Sequence, residues 1–152
     1  MVVDQCMKQE IITVPASATV AEAVSLFNAH HVGMLPVLNG EGRLVGIVNL
    51  RDLLDLIMPA FVNLIDDFDY VGDFGVLEGK QPSIDLLNQS VMTVMEPPVS
   101  VPASSGLLRA FAYLHKHELL DLPIVDDQTR LVGLASRVDV GRALLAGWHL
   151  NL

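Results

Sequence analysis

Cysteine is almost absent from this sequence: Cys6 is the only one among 152 residues. A lone cysteine cannot form an intramolecular disulfide, which is typical of a reducing compartment, and we therefore predict a cytoplasmic protein. No base neighbours Cys6 in the sequence, so we interpret it as an inert small residue and not as a nucleophile.

Long hydrophobic runs and positive charge are also scarce. No apolar run approaches the roughly 20 residues that span a bilayer, and residues 1–6 lack the basic and apolar stretches of a signal peptide. Nine Lys and Arg residues face 18 Asp and Glu residues, for a formal net charge of −9. Nucleic acids and anionic membranes are bound through clustered basic residues. We therefore predict no nucleic-acid partner and no membrane insertion.

Catalytic and metal-binding motifs are missing as well. The sequence has no Gly-x-Ser-x-Gly elbow, no phosphate-binding loop that ends in Lys-Ser/Thr, and no His-Glu-x-x-His. The five histidines are not spaced as helical zinc ligands, and the aspartates at 66, 67, 69 and 73 lack the calcium-loop pattern. These absences predict a protein that is not an enzyme and holds no metal.

Hydrophobic residues are abundant, and they follow an internal repeat. They make up 51% of the chain, with a mean hydropathy of +0.46, which excludes disorder. Residues 14–17 match residues 101–104, and Pro36 matches Pro123, always 87 positions apart. A unit of about 55 residues is marginal alone, so the repeat predicts one body with a shared core.

Each copy has the patterns of a β-α-β-β-α unit. In the first copy, Thr19 and Glu22 form a capping box before an apolar helical face, whereas Arg109 replaces that glutamate in the second copy. The turn of the first copy is predicted at Asn39 and Gly40. The predicted strands are 11–14, 35–38, 44–48, 122–125 and 131–135, and second helices begin near Leu50 and Arg137, the latter running toward Gly147.

The stretch from about residue 55 to 90 has no counterpart after the second copy. It holds seven acidic residues against Lys80, together with Phe61, Phe68, Tyr70 and Phe74. Two interpretations stay open. It is either a helical extension with solvated carboxylates or a segment with a function of its own, such as partner docking.

Both copies end their second strand with the pattern Gly-h-h-(Asn/Ser)-x-x-Asp, where h is apolar. Residues 46–52 read Gly-Ile-Val-Asn-Leu-Arg-Asp, and residues 133–139 read Gly-Leu-Ala-Ser-Arg-Val-Asp. The pattern indicates a strand-to-helix corner, where Asn49 or Ser136 can cap the helix and leave first-turn amides for an anion. The glycine lets a ligand or a backbone approach closely.

The aspartate of this pattern has two possible roles. Asp52 and Asp139 stand in the first helical turn, where the helix dipole alone favours an acidic residue. A carboxylate there can also accept two hydrogen bonds from a vicinal diol such as a ribose. The recurrence of the aspartate in both copies favours binding.

Taken together, the element order, the Pro-Val and Pro-Ile strand starts, the Leu-Val-Gly of the second strand and the terminal pattern resemble a tandem CBS-domain pair, or Bateman module. The resemblance implies an α+β fold in which two motifs, residues 7–58 and 91–147, pack as a pseudo-two-fold pair. Residues 1–152 would form one module, with an acidic helical connector at 59–90. The pair would enclose two clefts, and in this family such clefts often bind AMP, ADP, ATP or S-adenosylmethionine.

The resemblance also implies site residues. The ribose-binding aspartate maps onto Asp52 and Asp139, and its hydroxyl partner maps onto Ser136 and, in the first copy, Asn49. Backbone at Thr13, Val14, Ser100 and Val101 would line the adenine pocket.

The sequence departs from the family where phosphates are held. Relatives that hold phosphates often carry a base at the positions of Met34 and Asp121, and an aspartate there would repel a phosphate. Other bases could serve, or they are ordinary surface residues: Arg51, Arg137, His30, His31, His117 and Lys116. A nucleoside, a monophosphate or no ligand all stay open, and the two clefts are expected to bind unequally.

These observations lead to a predicted function. The chain is expected to be a regulatory module that senses an adenosine-type ligand and signals to an unknown partner or across a homodimer. Apolar residues of the second helices permit such a dimer: Leu53, Leu54, Leu56, Ile57, Leu144 and Leu145. The alternative is a ligand-free module that dimerises or docks a partner through the acidic connector.

Overall fold

Two three-stranded sheets, one in each repeat, form the framework of the molecule. The computed structural model describes residues 1–58 and 81–152. In each sheet the first strand runs parallel to the middle strand, and the middle strand runs antiparallel to the last. The strands are Val14–Pro15 (β1), Met34–Leu38 (β2), Leu44–Asn49 (β3), Val101–Pro102 (β4), Asp121–Val125 (β5) and Leu131–Ser136 (β6).

Helices connect and cover these sheets, and the predicted β-α-β-β-α order is confirmed in both repeats. A single 3-10 turn precedes each repeat, at Val3–Gln5 and at Val91–Thr93. The helices are Val20–Ala29 (α1), Leu50–Leu54 (α2), Ile84–Leu87 (α3), Leu107–Lys116 (α4) and Arg137–Leu145 (α5).

The start of α1 is fixed by the predicted capping box. The Thr19 Oγ1 accepts a hydrogen bond from the Glu22 amide at 3.2 Å, and the Glu22 carboxylate accepts one from the Thr19 amide at 2.9 Å. These two bonds satisfy amides that have no partner inside the helix. The equivalent helix α4 follows Gly106 and has no side-chain cap, as the Arg109 replacement predicts.

The sequence prediction was wrong in detail for the first strand and for the turn. The strand holds only Val14 and Pro15. Pro15 lacks an amide donor and is tolerated there because β1 is an edge strand. In the turn, the Asn39 side chain accepts hydrogen bonds from the backbone amides of residues 41 and 43, which forms a longer loop. The positive φ therefore falls on Gly42, at 76°, and not on Gly40.

The hydrophobic core joins the two repeats. Leu35 and Leu122, which are equivalent in the repeat, are both fully buried on the middle strands. The cluster around Leu122 also takes in three residues of the first repeat, Met34, Leu44 and Ile47. Because side chains of both repeats fill one cluster, the predicted shared core is confirmed.

The segments that precede the repeats are exchanged between them. Val3 is fully buried in the core of the second repeat, and its amide donates to the Ser105 carbonyl at 2.8 Å. Val91 is fully buried in the core of the first repeat, and its amide donates to the Ala18 carbonyl at 2.8 Å. Each repeat is thus completed by a segment that the chain places in front of the other.

The turns of the two repeats meet at the pseudo-two-fold axis. The Leu44 amide donates to the Thr129 carbonyl at 2.9 Å, and the Leu131 amide donates to the Gly42 carbonyl at 3.2 Å. Thr129 is equivalent to Gly42 and also has a positive φ, of 60°. These paired bonds fix the position of one sheet relative to the other.

The surface helices differ in how much apolar area they leave exposed. Leu53 is buried and is not free to form the dimer contact expected from the sequence, whereas Leu144 is partly buried against the core. Leu54, Leu56 and Leu145 are exposed and keep that expectation open. None of the helices in residues 1–58 and 81–152 has the length and apolar character that a membrane crossing requires.

The acidic connector falls largely outside the described residues. Its acidic and aromatic residues from 61 to 78, and Lys80, all lie in the stretch that the structure does not describe. Of the predicted connector, α3 is described. It lies against α1 and is capped by Ser83, whose hydroxyl accepts a hydrogen bond from the Leu86 amide at 3.2 Å.

Candidate functional site

The strand-to-helix corner of the second repeat is a complete capping box. The Ser136 Oγ accepts a hydrogen bond from the Asp139 amide at 3.0 Å, and the Asp139 Oδ2 accepts one from the Ser136 amide at 3.0 Å. Asp139 thus fixes the start of α5, and its Oδ1 is not used in this box. The predicted cap by Ser136 is confirmed.

The corner of the first repeat is built differently. The Asp52 Oδ2 accepts from the Asn49 amide at 2.8 Å, as its equivalent does. The Asn49 side chain, however, differs from the Ser136 side chain, because it also has a donor group, and its Nδ2 donates to the Glu96 Oε2. The acceptor of this side-chain amide is a residue from the segment that precedes the second repeat.

Asp139 lies in a cleft between the repeats, which we call the Asp139 cleft. Its volume is about 190 Å³. The first repeat and the segment before it contribute most of the wall, and the second repeat contributes the strand residue Leu134 and two carboxylates. The lining residues are Lys8, Glu10, Ile11, Ile12, His31, Val32, Gly33, Met34, Asp121, Leu134 and Asp139.

One cation and three carboxylates set the charge of the Asp139 cleft. The Lys8 Nζ lies 3.9 Å from the Asp139 Oδ2, and its side chain is 67% exposed. Burial raises the pKa of Asp121 above its usual value; Lys8 opposes this shift and Asp139 adds to it. With Glu10 at the same cleft, the described lining is net acidic even with Lys8 charged.

The equivalent cleft of the other repeat, which we call the Glu96 cleft, has a volume of about 320 Å³. Asp52 lies beside this cleft and is not one of its lining residues. Burial raises the pKa of Asp52, the bond from the Asn49 amide opposes the shift, and the charge of Glu96 adds to it. The lining residues are Ile47, Arg51, Glu96, Pro97, Val99, His117 and Leu119.

A third cavity, of about 190 Å³, lies between the two clefts. Met34 and Asp121, the two positions where the family pattern has a base, both line it, as do Asn49 and Arg51. Arg51 also lines the Glu96 cleft, so it is positioned to face a ligand from either side. Its Nη2 lies 3.8 Å from the Glu96 Oε1.

Arg137 has a structural role in this arrangement. Its Nε donates to the Leu119 carbonyl at 2.6 Å, and its Nη2 donates to the Leu114 carbonyl at 3.3 Å. The guanidinium of Arg137 thus connects the start of α5 to the last turn of α4 and to the segment that follows it. Arg137 does not line the Asp139 cleft.

The residues expected to form the adenine pocket lie next to the clefts. The side chains of Val14 and Val101 are buried in the two cores, at 0% and 1% exposure, so only their backbone can face a ligand. The cleft walls are formed slightly earlier in the chain, by Ile12 and Val99. Thr13 and Ser100 lie between these wall residues and the buried valines.

The two glycines of the repeated pattern, Gly46 and Gly133, make room for methionines. A Cβ at Gly133 would overlap the Met7 Sδ, and a Cβ at Gly46 would overlap the Met95 Sδ. The close approach that the sequence pattern predicts is therefore made by a side chain of the exchanged segment, which seats that segment against the sheet.

Lys8, Glu96 and the two methionines were missed by sequence reasoning. Met7 and Met95 are 88 positions apart, as are Lys8 and Glu96, whereas the repeat itself has a spacing of 87. In the first copy, one additional residue therefore lies between this segment and the matched strand β1. A comparison of the two copies without gaps ends at that point. The shared Met followed by a charged residue was the available signal.

Metal ligands are not clustered in the part of the chain that is described. No group of three or more His, Cys, Asp or Glu residues there is arranged to hold a metal ion. The acidic positions 66, 67, 69 and 73 fall outside the described residues.

Comparison with known families identifies the repeats. The family model of the CBS domain matches twice, at residues 3–59 and 90–146. The chain belongs to the CBS-domain family. The two matches are again 87 positions apart, and we refer to the repeats below as the first and second CBS motifs.

Relatives share both the sequence and the arrangement of the CBS pair. The uncharacterized protein MJ1426 of Methanocaldococcus jannaschii is 28% identical over 156 residues, covering 95% of this chain and 92% of that protein. The crystal structure of the CBS-pair protein CBSX2 from Arabidopsis thaliana is 29% identical, with a TM-score of 0.73 and coverage of 95% and 94%. A structure of CBSX2 in complex with AMP is 27% identical, with a TM-score of 0.70 and coverage of 95% and 96%.

Proposed function

We propose that this chain is a regulatory module that binds an adenosine-type ligand in the Asp139 cleft. The observation that carries the proposal is the position of Asp139. Its carboxylate is held by the Ser136 amide and faces a cleft with apolar walls and one lysine. CBSX2 has the same arrangement of motifs, and one of its crystal structures is of the complex with AMP.

Each part of the cleft suits one part of such a ligand. The walls at Ile11, Ile12 and Val32 are apolar and favour a flat base. The Asp139 carboxylate can accept hydrogen bonds from a ribose diol, and the Ser136 hydroxyl, which accepts from the Asp139 amide, keeps its proton for donation. Backbone at Thr13 and Val14 is the proposed edge of the adenine site in this cleft, and Ser100 and Val101 hold the equivalent position at the Glu96 cleft.

The charge of the cleft favours a ligand with little negative charge. Lys8 can reach a single phosphate, because its side chain is largely exposed. Glu10, Asp121 and Asp139 oppose further phosphates, since like charges repel strongly at a partly buried site. Adenosine, AMP and the cationic S-adenosylmethionine are therefore expected to bind more tightly than ADP, and ADP more tightly than ATP.

Binding in this cleft can be coupled to a change of arrangement. The lining combines Ile12 and Met34 of the first motif with Asp121, Leu134 and Asp139 of the second. A ligand that contacts both motifs stabilises the arrangement in which both contacts are made. A partner protein, or a second copy of the chain in a homodimer, would respond to this change in the arrangement of the two motifs. The role is regulatory and not catalytic.

A thermal-denaturation series tests the proposed function. At 100-fold its dissociation constant, a ligand adds about 2.7 kcal/mol, which raises the midpoint by roughly 5–10 °C for a chain of this size. Adenosine, AMP, ADP, ATP and S-adenosylmethionine are compared at equal concentration, with GMP as the control for the base. The shift should fall from AMP to ATP and be absent with GMP. No shift with any adenosine compound, or an equal shift with GMP, contradicts the proposal.

A further inference from the structure

Lys8 and Glu96 occupy equivalent positions in the two motifs. The Lys8 backbone pairs with Leu134, and the Glu96 backbone pairs with Ile47, which is the residue equivalent to Leu134. The hydrogen bonds agree closely, because the Lys8 amide donates to Leu134 at 2.8 Å and the Glu96 amide donates to Ile47 at 2.8 Å. The same backbone position therefore carries a cation at one cleft and an anion at the other.

The two side chains act differently on their motifs. Lys8 leaves the second corner intact, so the Ser136 hydroxyl caps α5 and can still donate a proton outward. Glu96 accepts a hydrogen bond from the Asn49 Nδ2, so this donor is not available to a ligand while Glu96 holds it. Its other carboxylate oxygen lies 3.8 Å from Arg51. Glu96 thus connects the residue equivalent to Ser136 with the basic residue that also lines this cleft.

We propose that Glu96 closes the Glu96 cleft to ligands by occupying Asn49 and Arg51, and not by filling its volume of about 320 Å³, so that each chain binds one adenosine-type ligand, in the Asp139 cleft. This inference rests on the proposed function. A ligand in the Glu96 cleft would have to displace Glu96 from Asn49 and from Arg51. The bond from Asn49 to the charged carboxylate is the stronger of the two contacts, because the ion pair with Arg51 is 3.8 Å long and partly exposed.

The number of AMP molecules bound per chain, measured by isothermal titration calorimetry, tests this inference. The wild-type chain is expected to bind one AMP, and Glu96→Ala is expected to bind two. The substitution leaves the backbone pairing with Ile47 in place, so the fold is retained. Glu41→Ala, the same change at an exposed carboxylate that contacts Arg43, is the matched control and should still bind one.

The double variant Glu96→Ala with Asp139→Ala isolates the opened cleft and is expected to bind one AMP. Two AMP molecules on the wild-type chain, or one on Glu96→Ala, overturn the closure by Glu96 while the proposed function stands. If the wild-type chain binds no AMP, the proposed function fails. In that case the double variant still decides the inference: one bound AMP supports closure by Glu96, and none overturns it.

Discussion

Replacing Asp139 with alanine is expected to weaken AMP binding roughly 10- to 150-fold. Hydrogen bonds to a charged group contribute about 1.5–3 kcal/mol, and each 1.4 kcal/mol corresponds to a factor of ten in affinity. Asp139 is the one carboxylate of the Asp139 cleft that a backbone amide of its own corner holds in place, through Ser136. Isothermal titration calorimetry of the wild-type and variant chains measures the change directly.

The same substitution also removes half of a capping box, and the control must separate the two effects. Loss of the cap is expected to lower the free energy of unfolding by about 0.3–1.5 kcal/mol. Glu22→Ala removes the equivalent carboxylate from the capping box of α1, which lies away from the clefts. It should lower stability by a similar amount and leave AMP affinity unchanged. Equal affinity losses in the two variants, or an Asp139→Ala affinity within twofold of the wild type, would be incompatible with a ribose-binding Asp139.

Alanine substitutions at three glycines are expected to change stability in opposite directions. At Gly133 and Gly46 the new Cβ collides with Met7 and Met95, respectively, and overpacking of this kind costs about 1–3 kcal/mol. At Gly141, inside α5, nothing lies within 4 Å of the new Cβ. Alanine is there expected to stabilise the chain by roughly 0.5–1 kcal/mol, because glycine is a poor helix former.

Urea denaturation of the three variants and the wild type measures these differences. The loss of stability in Gly133→Ala and Gly46→Ala tests whether the exchanged segments pack against the sheets as in the structure. Both collisions involve methionines of those segments, Met7 and Met95. If Gly133→Ala and Gly46→Ala unfold at the wild-type urea concentration, the methionines do not occupy the glycine positions. A Gly141→Ala variant that loses stability would contradict the helical environment assigned to α5.

Much of the fold could be predicted because its signals are local and occur twice. The apolar face and capping box of α1 depend on residues three or four positions apart, such as Thr19 and Glu22. The hairpin strands are short apolar runs, and the repeat places the second copy once the first is assigned. The family match at residues 3–59 and 90–146 agrees with this repeat.

The remaining features depend on contacts between distant segments. Val3 packs in the core of the second motif and Val91 in that of the first, and nothing within either segment specifies the exchange. The role of Asn49 changes for the same reason, because Glu96, the acceptor of its amide, is 47 positions away. A sequence pattern identifies which side chains can form hydrogen bonds, whereas the fold decides which partner is nearest.

The candidate site was predicted in part. Asp139 and Ser136 are brought together as a corner at a cleft, whereas Asp52 lies beside its cleft and Arg137 is held by backbone carbonyls. The expectation that the two clefts bind a ligand unequally was based on Met34, Asp121, Asn49 and Ser136. The structure adds Lys8 and Glu96, a pair with opposite charge at equivalent positions.

Titration of the isotopically labelled chain with AMP, followed by the backbone amide signals in NMR spectra, tests the central claim most directly. The chain, at 16.5 kDa, is small enough for its amide signals to be followed individually. The account predicts saturable shifts at Ile11, Ile12, Val32, Leu134 and Asp139, with little change at Glu96 and Val99 in the Glu96 cleft. Shifts centred on the Glu96 cleft, or none at the Asp139 cleft at saturating AMP, would contradict it.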